Sequence, residues 1–173
     1  TVKAQNLIQS SSVSNGSTSS HTAQFQSNPG AGNTLVAVIL LGTNASTRAV
    51  ASISTNGFTW SKANRIAGSS NAVEIWYGVF NGTTISNRSV VINLQGNTTV
   101  NTVIMEYSGI LSPTGPLDKV AGTLGSTSSI NTGTAVTTTI NNELAIYGFG
   151  YASSSATLSS VSVNSGSSVQ NSP

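Results

Sequence analysis

Short apolar runs of strand length recur along this chain, with turn residues between them. The clearest runs are TLVAVILL, VEIWYGVF, SVVINL, TVIMEY and ELAIYGFG, which are rich in β-branched and aromatic residues. Gly and Asn punctuate the gaps, as in STNGF, FNGTT, LQGNT and INNEL, where hairpin turns need residues that tolerate positive φ. No segment of helical length shows an apolar period of about 3.6 residues. The sequence therefore predicts an all-β fold.

The spacing of these runs is typical of a two-sheet β-sandwich of the jelly-roll or immunoglobulin-like kind. We predict strands at 22–26, 34–41, 48–54, 57–63, 72–80, 88–95, 100–108, 134–140, 143–152 and 157–163. The polar stretch SSSVSNGSTSS separates these from the N-terminal piece TVKAQNLIQ. We therefore expect a detached N-terminal strand at 1–9, a Ser-rich linker at 10–20 and a single sandwich domain at 21–173.

The chain carries very little charge. Charged residues make up 6% of it, whereas soluble domains average roughly 25%. The 6 Lys and Arg are scattered singly, so they form no phosphate-binding patch and we expect no nucleic-acid partner. Cysteine is absent, which excludes disulfides and thiolate metal sites. No apolar run reaches the length of about 18 residues that a membrane-spanning helix needs, so we expect no membrane span.

Candidate catalytic residues are few. His21 is the only histidine and no Asp precedes Asp118, so a Ser-His-Asp triad has little support, and a surface or turn histidine is the simpler interpretation. Glu74 and Glu106 are the two carboxylates that a glycosidase would need to bring face to face, but each lies in or beside an apolar strand. One His, one Asp and no Cys cannot build a dedicated zinc site. We expect no enzyme, no catalytic residue, no metal and no cofactor.

Aromatic side chains leave a second function open. Trp60, Trp76 and Tyr77 are the candidates for stacking on sugar rings. Neighbouring residues of a strand point to opposite faces, so Trp76 and Tyr77 cannot form one platform. Trp60 shares a face with Phe58, where packing into the sandwich is the ordinary role. A monomeric secreted carbohydrate-binding or adhesion module therefore remains the alternative.

Five Asn-x-Ser/Thr sequons mark candidate N-glycosylation sites, and all fall in predicted linkers or turns. They begin at Asn15, Asn44, Asn81, Asn87 and Asn97. Glycans there would shield a surface with few charges and block unplanned pairing of strand edges. Because the chain has few carboxylates, their protonation in acid should remove little of its stability. We expect an extracellular glycoprotein, and the start at Thr1 agrees with an exported protein whose signal peptide has been removed.

Several segments together resemble a known kind of surface protein. STSSHTAQF, GNTLVAVILLG, STNGFTW, VEIWYGVF, VIMEYSGI followed by PLD, and TTTINNELAIYGFGYA resemble a β-sandwich module of secreted bacterial and archaeal surface proteins, over residues 17–152. The nearly uncharged, Ser/Thr/Asn-rich composition with many sequons is similar to that of the thread filament subunits of thermoacidophilic archaea. The resemblance implies a pilus-like structural protein of the cell surface. It also implies donor-strand complementation, in which a glycosylated sandwich receives the N-terminal strand of a neighbouring copy.

The N-terminal piece has a pattern that suits this role. In an extended strand Val2, Ala4, Asn6 and Ile8 share one face, which is largely small and apolar, and the opposite face is mostly polar. The first face fits a narrow groove between two sheets. We predict that these four residues pair in trans with an adjacent subunit, so that copies of the chain form a head-to-tail homopolymer with N-linked glycans on its loops.

Overall fold

The computed structural model describes residues 5–42, 45–110, 115–125, 133–139 and 143–151. All regular secondary structure in these ranges is β-strand, and they contain no helix that could cross a membrane. The six strands are β1 (Asn6–Gln24), β2 (Thr34–Leu41), β3 (Val50–Ser54), β4 (Phe58–Ala67), β5 (Ala72–Phe80) and β6 (Ser89–Ser108). The predicted all-β class is confirmed.

Two long strands, β1 and β6, connect the layers of the fold. Residues 6–15 of β1 pair with 100–108 of β6, and residues 20–24 pair with 89–93, with shifts of register in between. Bulges and bends of this kind let one strand pass from one sheet layer to the other. The larger layer has the order β1-β6-β2-β5-β4, while β3 joins the other half of β6. Every pairing is antiparallel.

Apolar side chains from both layers meet in one core, which confirms the two-layer sandwich. Alternate residues of β2 point inward and are fully buried, because side chains of a strand alternate between its faces. The rings of Phe58 and Phe80 pack edge to face, with centroids 5.9 Å apart. The largest buried apolar side chains are Phe25, Leu35, Ile39, Leu41, Ile92 and Ile104.

A second apolar cluster covers the outer face of the larger layer. Val36, Met105 and Tyr107 are buried there, and Leu144 and Ile146 pack onto them. The segment 143–151 lies across this face without joining a ladder, because it contacts the sheet through side chains rather than along a strand edge. The strands predicted at 134–140 and 143–152 are therefore wrong over the described residues, and 157–163 lies outside them.

The strand predictions succeed for the apolar runs between residues 34 and 108. β2 and β5 have the predicted bounds, whereas the runs at 88–95 and 100–108 are parts of one strand, β6. The linker predicted at 10–20 is wrong, because these residues belong to β1. Ser and Thr can occupy the exposed positions of an edge strand while their backbone groups bond to a neighbour. The polar composition thus marks exposure to solvent and not a break in the strand.

Candidate functional site

The N-terminal strand, predicted to be detached, pairs within its own chain as far as it is described. Asn6 lies opposite Ser108, and Ile8 is 53% exposed. Val2 and Ala4 lie outside the described residues. The predicted groove-filling face of Asn6 and Ile8 is therefore not buried in this chain, and the described part of the N-terminal strand is paired with β6.

A bulge explains why the predicted alternation fails. The register shifts between Leu7 and Gln9, so that Leu7 lies opposite Tyr107 and Gln9 opposite Glu106. Leu7 packs on the outer cluster, while Gln9 points inward to the Glu106 carboxylate. In a regular strand without the bulge, Leu7 and Gln9 would share one face. The sequence pattern alone carried no sign of this shift.

The Gln9 side chain forms a compact hydrogen-bond cluster with residues distant in sequence. Its Nε2 atom donates to Oε2 of Glu106 at 2.5 Å and to the carbonyl of Ser27 at 3.1 Å. Its Oε1 atom accepts from the backbone N–H of Ser27 at 3.1 Å and from the Ser27 hydroxyl at 3.2 Å. The cluster ties the start of β1 to β6 and to the 27–33 loop.

Glu106 is a buried carboxylate held by neutral donors. Its side chain is 1% exposed, and Oε1 accepts from the N–H of Gly30 at 2.6 Å and from Nδ2 of Asn33 at 2.5 Å. Within the described residues no Lys or Arg forms an ion pair with it. Hydrogen bonds therefore compensate for the loss of hydration, which would otherwise be costly for a buried charge. Sequence reasoning missed both Gln9 and Asn33.

Glu74 is a second buried carboxylate, and its partners are cationic. Oε1 lies 3.1 Å from Nε of Arg65, and Oε2 lies 3.1 Å from Nζ of Lys62. The indole Nε1 of Trp76 donates to Oε2 at 2.8 Å, and the N–H of Val50 donates to Oε1 at 3.1 Å. The carboxylate thus joins β4 and β5 to the first residue of β3.

The two carboxylates do not form a glycosidase pair. Glu74 lies opposite Ile39 and Glu106 lies opposite Leu35, on the two strands that flank β2. Four residues of offset along β2 and two strand spacings across it separate them by about 16 Å. Glycosidase carboxyl groups are about 5–9.5 Å apart. Each carboxylate instead has its own set of partners.

Two of the three candidate sugar-stacking aromatic residues serve the core, and Tyr77 is half-buried. Trp60 and Trp76 both pack against the main apolar cluster. The Trp60 ring lies over Gly78, and its Nε1 atom donates to the hydroxyl of Thr55 at 3.3 Å. Nζ of Lys62 lies 5.0 Å from the centroid of the Trp76 ring. Neither indole is presented as an open platform, which confirms the packing role expected for Trp60.

His21 is buried, so the prediction of a surface histidine is wrong. It lies opposite Ile92 and is 3% exposed, because the second half of β1 presents this side to the core. Burial lowers the pKa of its imidazole. Neither ring nitrogen has a hydrogen-bond partner within the described residues.

Two sequons lie at either end of one exposed loop and share a geometry. Oδ1 of Asn81 accepts from the N–H of Thr83 at 3.0 Å, and Oδ1 of Asn87 accepts from the N–H of Ser89 at 3.1 Å. Both are Asx turns, in which the side chain bonds to the backbone two residues on. Both asparagines are exposed.

A cavity of about 290 Å³ lies beside Asn87 and is lined also by Ser54, Thr55, Asn56, Ser89 and Val91.

The other sequons differ from their predicted setting. Asn15 and Asn97 are exposed, but they lie within β1 and β6, near the bend that joins the two layers, and not in a linker or a turn. Their position follows from the same continuous pairing that makes 10–20 a strand. Asn44 lies outside the described residues.

Metal ligands do not gather in the part of the chain that the structure describes, where no group of three or more His, Cys, Asp or Glu residues is placed to hold an ion. Glu74, Glu106 and Asp118 instead lie apart, the first two in their own clusters and the third beside Lys119. No protein family, curated protein or solved structure matches this chain.

Proposed function

We propose that this chain is a structural subunit of an extracellular filament or surface assembly, in which the N-terminal strand of one subunit adds to the sheet of the next. The observation that carries the proposal is the position of residues 6–15. They form the edge of the larger layer and bond to β6 along one side, with no other strand of the described residues beside them. Strand addition joins an extended segment to an exposed sheet edge, and an edge strand is an element of that kind.

Exchange of this strand between copies needs no new kind of contact. The ladder that residues 6–15 make with residues 100–108 in one chain is available in the same form between two chains, as in domain swapping. Register shifts between Asn15 and Ser20 separate this half of β1 from the half in the smaller layer. Gly16 lies in that interval with no heavy atom near its Cβ position, which makes it a suitable hinge.

Head-to-tail growth follows from the two surfaces involved. The donated strand and the accepting edge of β6 are different parts of the subunit, so each copy can give one strand and receive another. Such a contact is open-ended and propagates a fibre. The isolated subunit, with its own strand in place, corresponds to the closed form.

The surface chemistry supports an extracellular setting. Only 6% of the residues are charged, and the sequons at Asn15, Asn81, Asn87 and Asn97 are exposed. N-linked glycans would supply the solubility that charges usually give and would cover strand edges outside the contact. The same features agree with a secreted glycoprotein of an archaeal cell surface.

Cysteine cross-linking across the β1–β6 ladder tests the proposal, because the chain has no native cysteine. Ser14 lies directly opposite Asn101, its hydroxyl donates to the Asn101 carboxamide oxygen, and both residues are exposed. Opposed residues of an antiparallel pair have Cα atoms about 4.5–5.5 Å apart, which suits a disulfide. In an assembling S14C/N101C chain, strand exchange should give a ladder of covalent oligomers on a non-reducing gel.

A matched pair in the other half of β1 is the control. Ser20 lies opposite Asn93, with a 3.0 Å bond from its hydroxyl to the Asn93 carboxamide oxygen. The S20C/N93C chain should form its disulfide within one chain and run as a monomer. If S14C/N101C also gives only monomers from material seen as filaments by negative-stain microscopy, strand exchange is not the assembly mechanism.

A monomeric carbohydrate-binding or adhesion module is the second candidate, and exposed tyrosines favour it. Tyr147 is 56% exposed and Tyr151 is 49% exposed on the segment that crosses the outer cluster. They are about 13 Å apart if the segment is extended, a spacing at which two rings can contact one oligosaccharide. Sedimentation as a monomer, with polysaccharide binding that Y147A and Y151A abolish, would favour this function.

A further inference from the structure

The contacts of Gln9 use the full hydrogen-bonding capacity of its side chain. A primary amide has two N–H donors and an oxygen with two lone pairs. The donors bond to the Ser27 carbonyl and to Glu106 Oε2, and the oxygen accepts from the Ser27 N–H and hydroxyl. A carboxylate, a hydroxyl or an ammonium at this position cannot match donors and acceptors in this arrangement. The cluster is therefore selective for glutamine.

The residues that receive the Gln9 side chain lie outside β1. Glu106 Oε1 is held by the Gly30 N–H and by Nδ2 of Asn33, so Oε2 remains directed at the strand. A Cβ atom at Gly30 would lie 2.7 Å from Nδ2 of Asn33 and 3.3 Å from Oε1 of Glu106. The loop backbone can approach the carboxylate this closely only because residue 30 is glycine. Ser27, Gly30, Asn33 and Glu106 thus form a seat for the Gln9 side chain, and the shape of this seat depends on the close approach of Gly30.

The seat also fixes the register of the strand. The bulge at Ile8 puts Leu7 on the outer cluster and Gln9 on the inner carboxylate at the same time. A slip by one residue would bring Ile8 or Ser10 to Glu106 and leave a buried carboxylate oxygen without its donor, which is costly. Buried charged groups often contribute less to the stability of a fold than apolar residues of similar volume would. The best attested role of such groups is to fix a register.

We infer that Glu106, Ser27, Gly30 and Asn33 form a recognition site for the glutamine of an extended N-terminal strand. Its partner in the assembly is Gln9 of a second copy of this chain, and this part of the inference rests on the proposed function. The site selects the donated strand by its primary amide and sets the register in which it pairs.

Reversal of the amide and the carboxylate tests the recognition. In Q9E a second carboxylate faces Glu106 at hydrogen-bond distance, and in E106Q an amide N–H faces the Gln9 N–H or the donors of Gly30 and Asn33. Each single variant should therefore weaken strand pairing about tenfold or more. The double variant Q9E/E106Q restores one donor to one acceptor and should recover part of the loss.

The measurement uses donor chains carrying S14C mixed with acceptor chains carrying N101C. The yield of the disulfide-linked dimer is compared across the four combinations of Gln or Glu at position 9 of the donor and Glu or Gln at position 106 of the acceptor. In S14C/N101C chains with the same four combinations, the yield of the disulfide-closed monomer reports pairing within one chain. Q24E is the control, because Gln24 is an exposed residue of the same strand whose side chain donates a long hydrogen bond, of 3.4 Å, to the Ser89 hydroxyl.

The outcomes separate the two proposals. Loss of the dimer in Q9E and in E106Q, recovery in the matched pair and no effect of Q24E support recognition between copies. Equal yields in all four combinations overturn it, even if the chains exchange strands. If wild-type mixtures form no intermolecular disulfide, the proposed function and the partner assigned here both fail, and the intramolecular series then shows whether the seat selects Gln9 within one chain.

Discussion

Nε of Arg65 lies 3.1 Å from Oε1 of Glu74, a carboxylate with no exposed surface. Nζ of Lys62 lies 3.1 Å from the other oxygen, so one buried anion serves two cations. The Arg65 guanidinium also donates to the carbonyls of Ala45 and Arg48. In a chain with so few charges, this cluster is the main ionic link between the β4–β5 hairpin and the residues that precede β3.

Removal of the Glu74 carboxylate should therefore destabilise the fold strongly. Glu74→Ala leaves Arg65 and Lys62 without their anion, and we expect the free energy of unfolding to fall by about 3–5 kcal/mol. Denaturant titration measures it. Lys119→Ala, which breaks the exposed ion pair to Asp118, is the control and should cause no measurable loss. Equal effects of the two variants would contradict a structural role for the buried cluster.

His21 should make the stability of the chain depend on pH. Burial lowers the pKa of His21 from its ordinary value of 6.5. As the pH falls through 6.5, the unfolded chain takes up a proton and the folded chain does not, so the free energy of unfolding decreases until the lowered pKa is reached. His21→Leu should remove this decrease, which begins as the pH falls through 6.5.

Unfolding titrations at several pH values compare His21→Leu with Thr22→Val, the control at the exposed neighbouring position of β1. The control should keep the pH dependence of the wild type. A wild type whose stability stays flat as the pH falls through 6.5, or a His21→Leu variant with an unchanged slope, would show that the imidazole is equally solvated in the folded and unfolded states.

The loop between β5 and β6 should carry glycans in native material. Asn81 and Asn87 are exposed, and each begins a sequon in an Asx turn. We expect glycopeptide mass spectrometry to find sugar on at least one of them, and Thr83→Ala or Ser89→Ala to remove the glycan from its own site only. Thr84→Ala, outside both sequons, should change nothing. Bare asparagines at both sites in protein from the native host would refute the prediction.

Gly148 should be required for the seating of segment 143–151 on the outer face. A Cβ atom there would lie 2.8 Å from Cγ1 of Val38 and from Cγ1 of Val73. Because β-branched side chains cannot rotate away freely, Gly148→Ala should lower the free energy of unfolding by about 1–3 kcal/mol and increase amide hydrogen exchange in this segment. Gly125→Ala is the control, because nothing lies within 4 Å of its Cβ position. Unchanged exchange in Gly148→Ala would mean that the segment does not need this close approach.

The sequence by itself determined the parts of the fold that depend on local patterns. The apolar runs gave the bounds of β2 and β5, and the Asn-Gly turns placed Gly57 and Gly82, whose φ angles are +85° and +86°. Periodicity and turn chemistry are properties of neighbouring residues, so they can be read from the sequence. The exposure of Asn81 and Asn87 followed from the same local signals.

Only the tertiary structure decided the features that depend on pairing between distant residues. Residues 10–20 form a strand because β6 satisfies their backbone, and the same pairing buries His21. The bulge at Ile8 turns Gln9 onto Glu106, a carboxylate 97 residues away in sequence. A shift of one residue in register exchanges the two faces of a strand, and no local pattern records such a shift. The fold class was therefore predictable, whereas the site proposed for strand recognition became visible only with the register known.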